Sequence, residues 1–142
     1  MARLNGDVYG VRGLDKPLLL RLDELLSGGA GATYDHATVS VEHVLPQTPP
    51  QDSQWCSDFS KTERELWTHK LANLVLLSRR KNAKASNYPF EDKKEKYFTS
   101  KDGVSVYALT TQVLSTATWT PRILEQRQTD LVAKLAKEWD LA

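Results

Sequence analysis

Glu42-His43-Val44-Leu45-Pro46-Gln47 sets a carboxylate beside an imidazole, thirty residues before Asn73, which is itself nine residues before Asn82. Hydrolysis of a phosphodiester needs a general base, a hard divalent cation held by oxygen atoms, a group that fixes the base, and positive charge to hold the backbone. His43 can supply the first, Glu42 and Asn82 the oxygens for the second, Asn73 the third, and the run Arg79-Arg80-Lys81-Asn82-Ala83-Lys84 the fourth. Each of these residues also has a plainer use. A histidine on an apolar strand often serves as a satisfied core residue, Glu42 as a strand-edge acid, Asn73 as a turn residue and Asn82 as a polar helix residue. Other chemistries have no residues to carry them. The three histidines, His36, His43 and His69, form no His-Glu-x-x-His zinc pair, and no Gly-x-Ser-x-Gly elbow is present.

The elements that must position these residues can be read from the pattern. Val39, Val41 and His43 alternate with Ser40, Glu42 and Val44, which predicts a strand ended by Pro46. Leu74-Val75-Leu76-Leu77 is a short apolar run compatible with a buried strand, and Ser78 is placed to cap a helix that follows it. Strand, loop, strand and helix therefore occupy Thr38 to Ser86. Before them, Leu18, Leu19, Leu22, Leu25 and Leu26 recur at helical spacing between the start signals Asp15 and Pro17 and the stop Gly28-Gly29. Ser27 to Tyr34 reads as a flexible linker, without the Gly-Lys-Ser/Thr of a phosphate loop. Gln47 to Ser60 reads as a long surface loop, and Ser60 with Glu63 as the capping box of a helix reaching toward Leu71. Glu91 to Phe98 predicts a short basic helix, and Thr120-Pro121 opens a longer one to about Trp139. Trp55, Trp67, Trp119 and Trp139 are expected to lie in or over the core.

At 142 residues, with 40% hydrophobic and 26% charged positions, the chain fits one domain able to build a core without disulfides. A lone cysteine, Cys56, points to a reducing compartment, and no run of residues is apolar enough to span a bilayer or to form a signal peptide. The net charge of +1 hides a segregation: Lys61 to Lys101 carries eleven basic residues against five acidic, and the rest carries eight against thirteen. Lys70 to Lys84 has five basic residues and no acid. Such a stripe attracts a polyanion, although a merely solvated helix face would have the same composition.

Taken together, Glu-His-Val-Leu-Pro-Gln, Asn-Leu-x-Leu-Leu-Ser and Lys-Asn-x-Lys resemble the three-part motif of HNH, or His-Me finger, nucleases. Asn87-Tyr88-Pro89-Phe90 and Trp119-Thr120-Pro121-Arg122-Ile123 with Arg127 narrow the resemblance to the C-terminal nuclease domain of GmrSD-type modification-dependent restriction enzymes and related antiphage proteins, from about Leu14 to Trp139. The resemblance implies an α+β, mainly helical fold: a ββα-metal finger of two short antiparallel strands and a helix (about 38–88), with an N-terminal helix (about 14–27) and C-terminal helices (about 91–139). His43 would be the base and Asn73 the brace of the catalytic loop. Glu42 and Asn82 would bind one Mg2+ or Mn2+. Arg79, Arg80, Lys81, Lys84, Lys93 and Lys94 would meet DNA phosphates, with weak sequence preference. One departure stands out: Glu42 is a methylene longer than the usual Asp, and adjacent strand residues face opposite ways. It would share a site with His43 only through a twist or bulge.

The activity this implies is endonucleolytic cleavage in restriction or defence in a bacterial cytoplasm, leaving a 5′ phosphate and a 3′ hydroxyl. In the full-length protein a sensing or nucleotide-hydrolysing domain would precede this one. A non-catalytic module that binds nucleic acid or docks a partner on the same scaffold is the alternative, and RNA is a possible substrate for the same site chemistry.

Overall fold

The structure, a computed structural model, describes residues 2–28, 38–81, 87–98 and 107–140. Asn82 and Lys84, and most of the glycine-rich linker, lie outside the described residues. The fold is mainly helical, with a two-stranded antiparallel sheet packed against helices, as the pattern predicted. The sheet pairs β1 (Val39–His43) with β2 (Leu74–Ser78) in an unbroken register from Val39 opposite Ser78 to His43 opposite Leu74. Residues 79–81 begin a helix directly after β2, and the Lys81 amide donates to the Ser78 hydroxyl at 3.3 Å, as expected of a cap.

β2 is apolar on both sides because it is covered on both sides. Leu74 and Leu76 join a cluster with Val39, Leu71 and the leucines of α2 (Asp15–Leu26), while Val75 and Leu77 join a second cluster with Trp55, Phe59, Phe98 and Trp119. α2 stops where Gly28 takes a positive φ of 79°, a conformation glycine adopts without strain. The stretch 47–60 is not all loop: α3 (Gln54–Asp58) forms within it, since Trp55 and Phe59, four residues apart, reach the second cluster from one helical face. α4 (Lys61–Trp67) has the predicted Ser60–Glu63 capping box and is followed by a tight 3-10 turn, Leu71–Asn73. Trp55, Trp67 and Trp119 are buried, whereas Trp139 is 43% exposed just past the end of the last helix.

Phe90–Asp92 is a single helical turn that widens into a π-helical turn over Lys93–Phe98. Two further helices were not read from the sequence: α1 (Ala2–Asn5) and a seven-residue helix, Ala108–Leu114. The long C-terminal helix, Pro121–Glu138, is capped by the Thr120 hydroxyl, which accepts from the Ile123 amide. Thr120→Ala should therefore lower stability by about 1 kcal/mol, seen as a lower urea midpoint with an unchanged slope.

Candidate active site

β1 ends on the pair Glu42-His43, and the regular ladder sends their side chains to opposite faces of the sheet. No bulge interrupts the five pairs that would have let the two side chains converge. On one face, His43 is 4% exposed and packs among rings. Its Nε2 lies 3.1 Å from Nδ1 of His69. Tyr9 meets the His43 ring edge-on at 4.3 Å between centroids and stacks on His69 at 5.3 Å. The Tyr9 segment is held there by its own backbone, since the Val8 and Tyr9 amides both donate to the His69 carbonyl, at 3.0 and 3.2 Å. Burial is the main cause that pulls the His43 pKa down to about 3, with His69 and Lys93 adding to it. The imidazole is therefore neutral at physiological pH, the form that can accept a proton.

On the other face, Glu42 is 6% exposed and meets the fully buried Lys93. The Lys93 ammonium donates to the carbonyls of His43 (2.8 Å) and Val44 (3.1 Å) and stands 3.7 Å from Glu42 Oε2, an ion pair rather than a hydrogen bond. Burial raises the Glu42 pKa to about 7 against the pull of Lys93 and the His43 amide, and it lowers that of Lys93 to about 8 against the pull of Glu42. In both partners desolvation outweighs attraction, as the long separation would lead one to expect. Glu42 Oε2 is the one buried side-chain oxygen or nitrogen among the described residues without a hydrogen-bond partner. That oxygen faces the Lys93 ammonium, so the carboxylate already has a cation of the protein's own beside it. Among the described residues no group of three or more His, Cys, Asp or Glu gathers around one point, and Asn82 is not described.

Asn73 is fully buried, and every arm of its amide is used. Its Oδ1 accepts from the Leu45 amide (2.8 Å) and from the Trp119 indole (3.0 Å), and its Nδ2 donates to the carbonyls of Leu45 and Thr68, both at 3.0 Å. Its own carbonyl takes the Val44 amide at 2.9 Å. One side chain thus ties the segment leaving β1 to the turn entering β2. Arg127 of the quoted motif and its neighbour Gln128 complete the frame. Arg127, half-buried beside Trp119, donates to the Ala72 carbonyl at 3.0 Å, and Gln128 Oε1 accepts from the Ala72 amide at 2.8 Å.

A family model describing the C-terminal domain of GmrSD restriction endonucleases matches residues 6–134. The chain belongs to this family. No curated protein matches it. As a GmrSD C-terminal domain it has a nuclease role in restriction, which implies DNA as substrate. No helix among the described residues is long and apolar enough to cross a membrane.

The basic residues expected at phosphates of this GmrSD domain fall into three groups. Arg79 and Arg80 are exposed and Lys81 half-buried at the start of the helix after β2. Lys94 is tied to Thr116, Glu91 and the Phe90 ring. Lys93 is inside the protein, so its charge serves Glu42 and the β1 carbonyls and not a solvent-borne phosphate. The sequence did not show this, since Lys93 lies within Glu-Asp-Lys-Lys-Glu-Lys and only the π-helical turn carries it inward. His69 and Tyr9 carried no signal either, since each meets His43 only through the folded chain.

Proposed function

We propose that this domain is a metal-dependent DNA endonuclease in which His43 takes a proton from the water that attacks the phosphodiester. The observation that carries the reading is an imidazole clamped by the His69 and Tyr9 rings at the end of β1, with Asn73 fixing the two residues that follow it. As the water oxygen bonds to phosphorus, its proton passes to His43 and the bond from phosphorus to the 3′ oxygen breaks, leaving a 5′ phosphate and a 3′ hydroxyl. One Mg2+ or Mn2+ would supply positive charge at the departing oxygen; Asn82 would hold it, whereas Glu42, on the opposite face of the unbroken ladder and paired with Lys93, would join it only if the end of β1 turned over. Asn73 keeps His43 in place by fixing Val44 and Leu45, the two residues that follow it. Arg79 and Arg80 follow the end of β2 remote from His43, about 14 Å along the strand, and so would grip phosphates flanking the cut rather than the reacting one.

The test is a supercoiled-plasmid assay with Mg2+ or Mn2+ and with excess chelator. Nicked or linear product with either cation and none with chelator is expected. Binding without cleavage in both cations would instead leave a module that keeps the scaffold without the reaction. Binding itself should weaken with salt. Three or four phosphate contacts from the exposed basic residues imply a slope of about −3 in the logarithm of the binding constant against that of salt concentration. A slope near zero would remove these residues from the interface.

A further inference from the structure

We propose that His69 is a positioning residue for His43: its imidazole fixes the His43 ring and selects the tautomer in which Nε2 carries the proton and Nδ1 the lone pair. The proposal rests on the reading of His43 as the base and goes beyond it, because it names the nitrogen that works and the residue that chooses it.

His43 Nε2 and His69 Nδ1 lie 3.1 Å apart, a hydrogen bond that holds one proton between two nitrogens. Two arrangements of neutral rings are possible. If His69 Nδ1 donated, His43 would have to carry its own proton on Nδ1, and neither of its nitrogens would be left to take one from water. If His43 Nε2 donates, His69 accepts on Nδ1 and bears its proton on Nε2, and His43 Nδ1 is left with a lone pair. Only the second arrangement makes a base. It also has an outlet for the remaining proton, since His69 lines a cavity of about 390 Å3 with Gln47, Lys61, Arg64, Glu65 and Thr68, where water or a side-chain oxygen can accept it.

The surroundings make this a rigid contact. The two imidazoles stand at 80° to one another with centroids 5.2 Å apart, and Tyr9 packs against both. His69 anchors that tyrosine through its own carbonyl, which receives the amides of Val8 and Tyr9, and the neighbouring Lys70 bridges to Asp7. One residue therefore holds His43 from the side with its ring and from above through the strap it fastens. A loose imidazole on this strand would sample both tautomers and several ring angles, and each lost alignment reduces the fraction of encounters in which the base faces the attacking water.

The experiment compares the chain with its His69→Ala and His69→Asn variants by long-range proton–nitrogen correlation of the histidine rings, together with the kinetics of plasmid cleavage. The unsubstituted chain should show His43 as a single Nε2–H tautomer. His69→Ala should give a tautomer mixture and a kcat lower by about 10- to 100-fold, with KM for DNA little changed. His69→Asn places an amide oxygen where Nδ1 was, and should restore the single tautomer and most of the rate. A His43 that carries its proton on Nδ1 in the unsubstituted chain would overturn the proposal. So would a His43 tautomer unaffected by the alanine change. The spectra decide the point even if no cation supports cleavage, so failure of the nuclease reading and failure of this one are separable. Should His69→Ala unfold, the asparagine variant and the unsubstituted spectrum still give the answer.

Discussion

His43→Ala is expected to lower the rate of plasmid cleavage by about a thousandfold while leaving DNA binding unchanged. The size follows from the role. Among the described residues the other imidazole is His69, which meets the His43 ring through Nδ1 and would have to move into the vacated space to reach the attacking water. Binding survives because His43 is only 4% exposed and offers almost no surface to a duplex, whereas the cations at the start of the helix after β2 are exposed and untouched by the change. The check is a gel-shift titration beside the cleavage assay on the same preparation. Retained binding also reports that the variant is folded, so that loss of cleavage is read as loss of the base. Cleavage at an undiminished rate would remove His43 from the reaction and with it the mechanism.

The sequence made the scaffold legible where local pattern and tertiary demand coincide. Val39 to His43 alternates because one face meets the first core cluster, and Leu74 to Leu77 does not alternate because both faces are covered. The caps at Ser60, Ser78 and Thr120 were readable because a hydroxyl three residues ahead of a free amide has one obvious use. Asn73 makes four side-chain hydrogen bonds, and the motif alone could not say which groups they would join. What stayed hidden is long-range. His69 lies 26 positions from His43 and Lys93 fifty, and no spacing rule links either to the strand. Lys93 was misleading as well as hidden: within Glu-Asp-Lys-Lys-Glu-Lys it has the composition of a solvated face, and only the widened π-helical turn with Phe90 and Phe98 carries it inward. Charge segregation along the chain thus overstated the basic surface, since part of that charge neutralises an acid from β1.

Asn73→Ala should be among the most destabilising single changes in the molecule, costing about 3–5 kcal/mol. The side chain is completely enclosed, so water cannot replace what it gives. Its removal strands two donors, the Leu45 amide and the Trp119 indole, and takes one donor from each of the Leu45 and Thr68 carbonyls. An orphaned buried donor costs about 1–3 kcal/mol, and the two donors alone account for most of the expected loss. Asn73→Asp separates this from simple loss of volume. A carboxylate keeps an acceptor for Leu45 and Trp119 but turns a second oxygen toward two carbonyl oxygens, so it should also be strongly destabilising despite its nearly unchanged size. Urea unfolding followed by tryptophan fluorescence measures both variants, with the midpoint falling and the slope unchanged. The expected functional consequence is separate from the stability. At low temperature, where both variants remain folded, cleavage should still be impaired, because Leu45 loses its side-chain tether two residues after His43, whose carbonyl holds Lys93. Full activity in a folded Asn73→Ala variant would mean that the clamp of Tyr9 and His69 positions His43 without help from the loop.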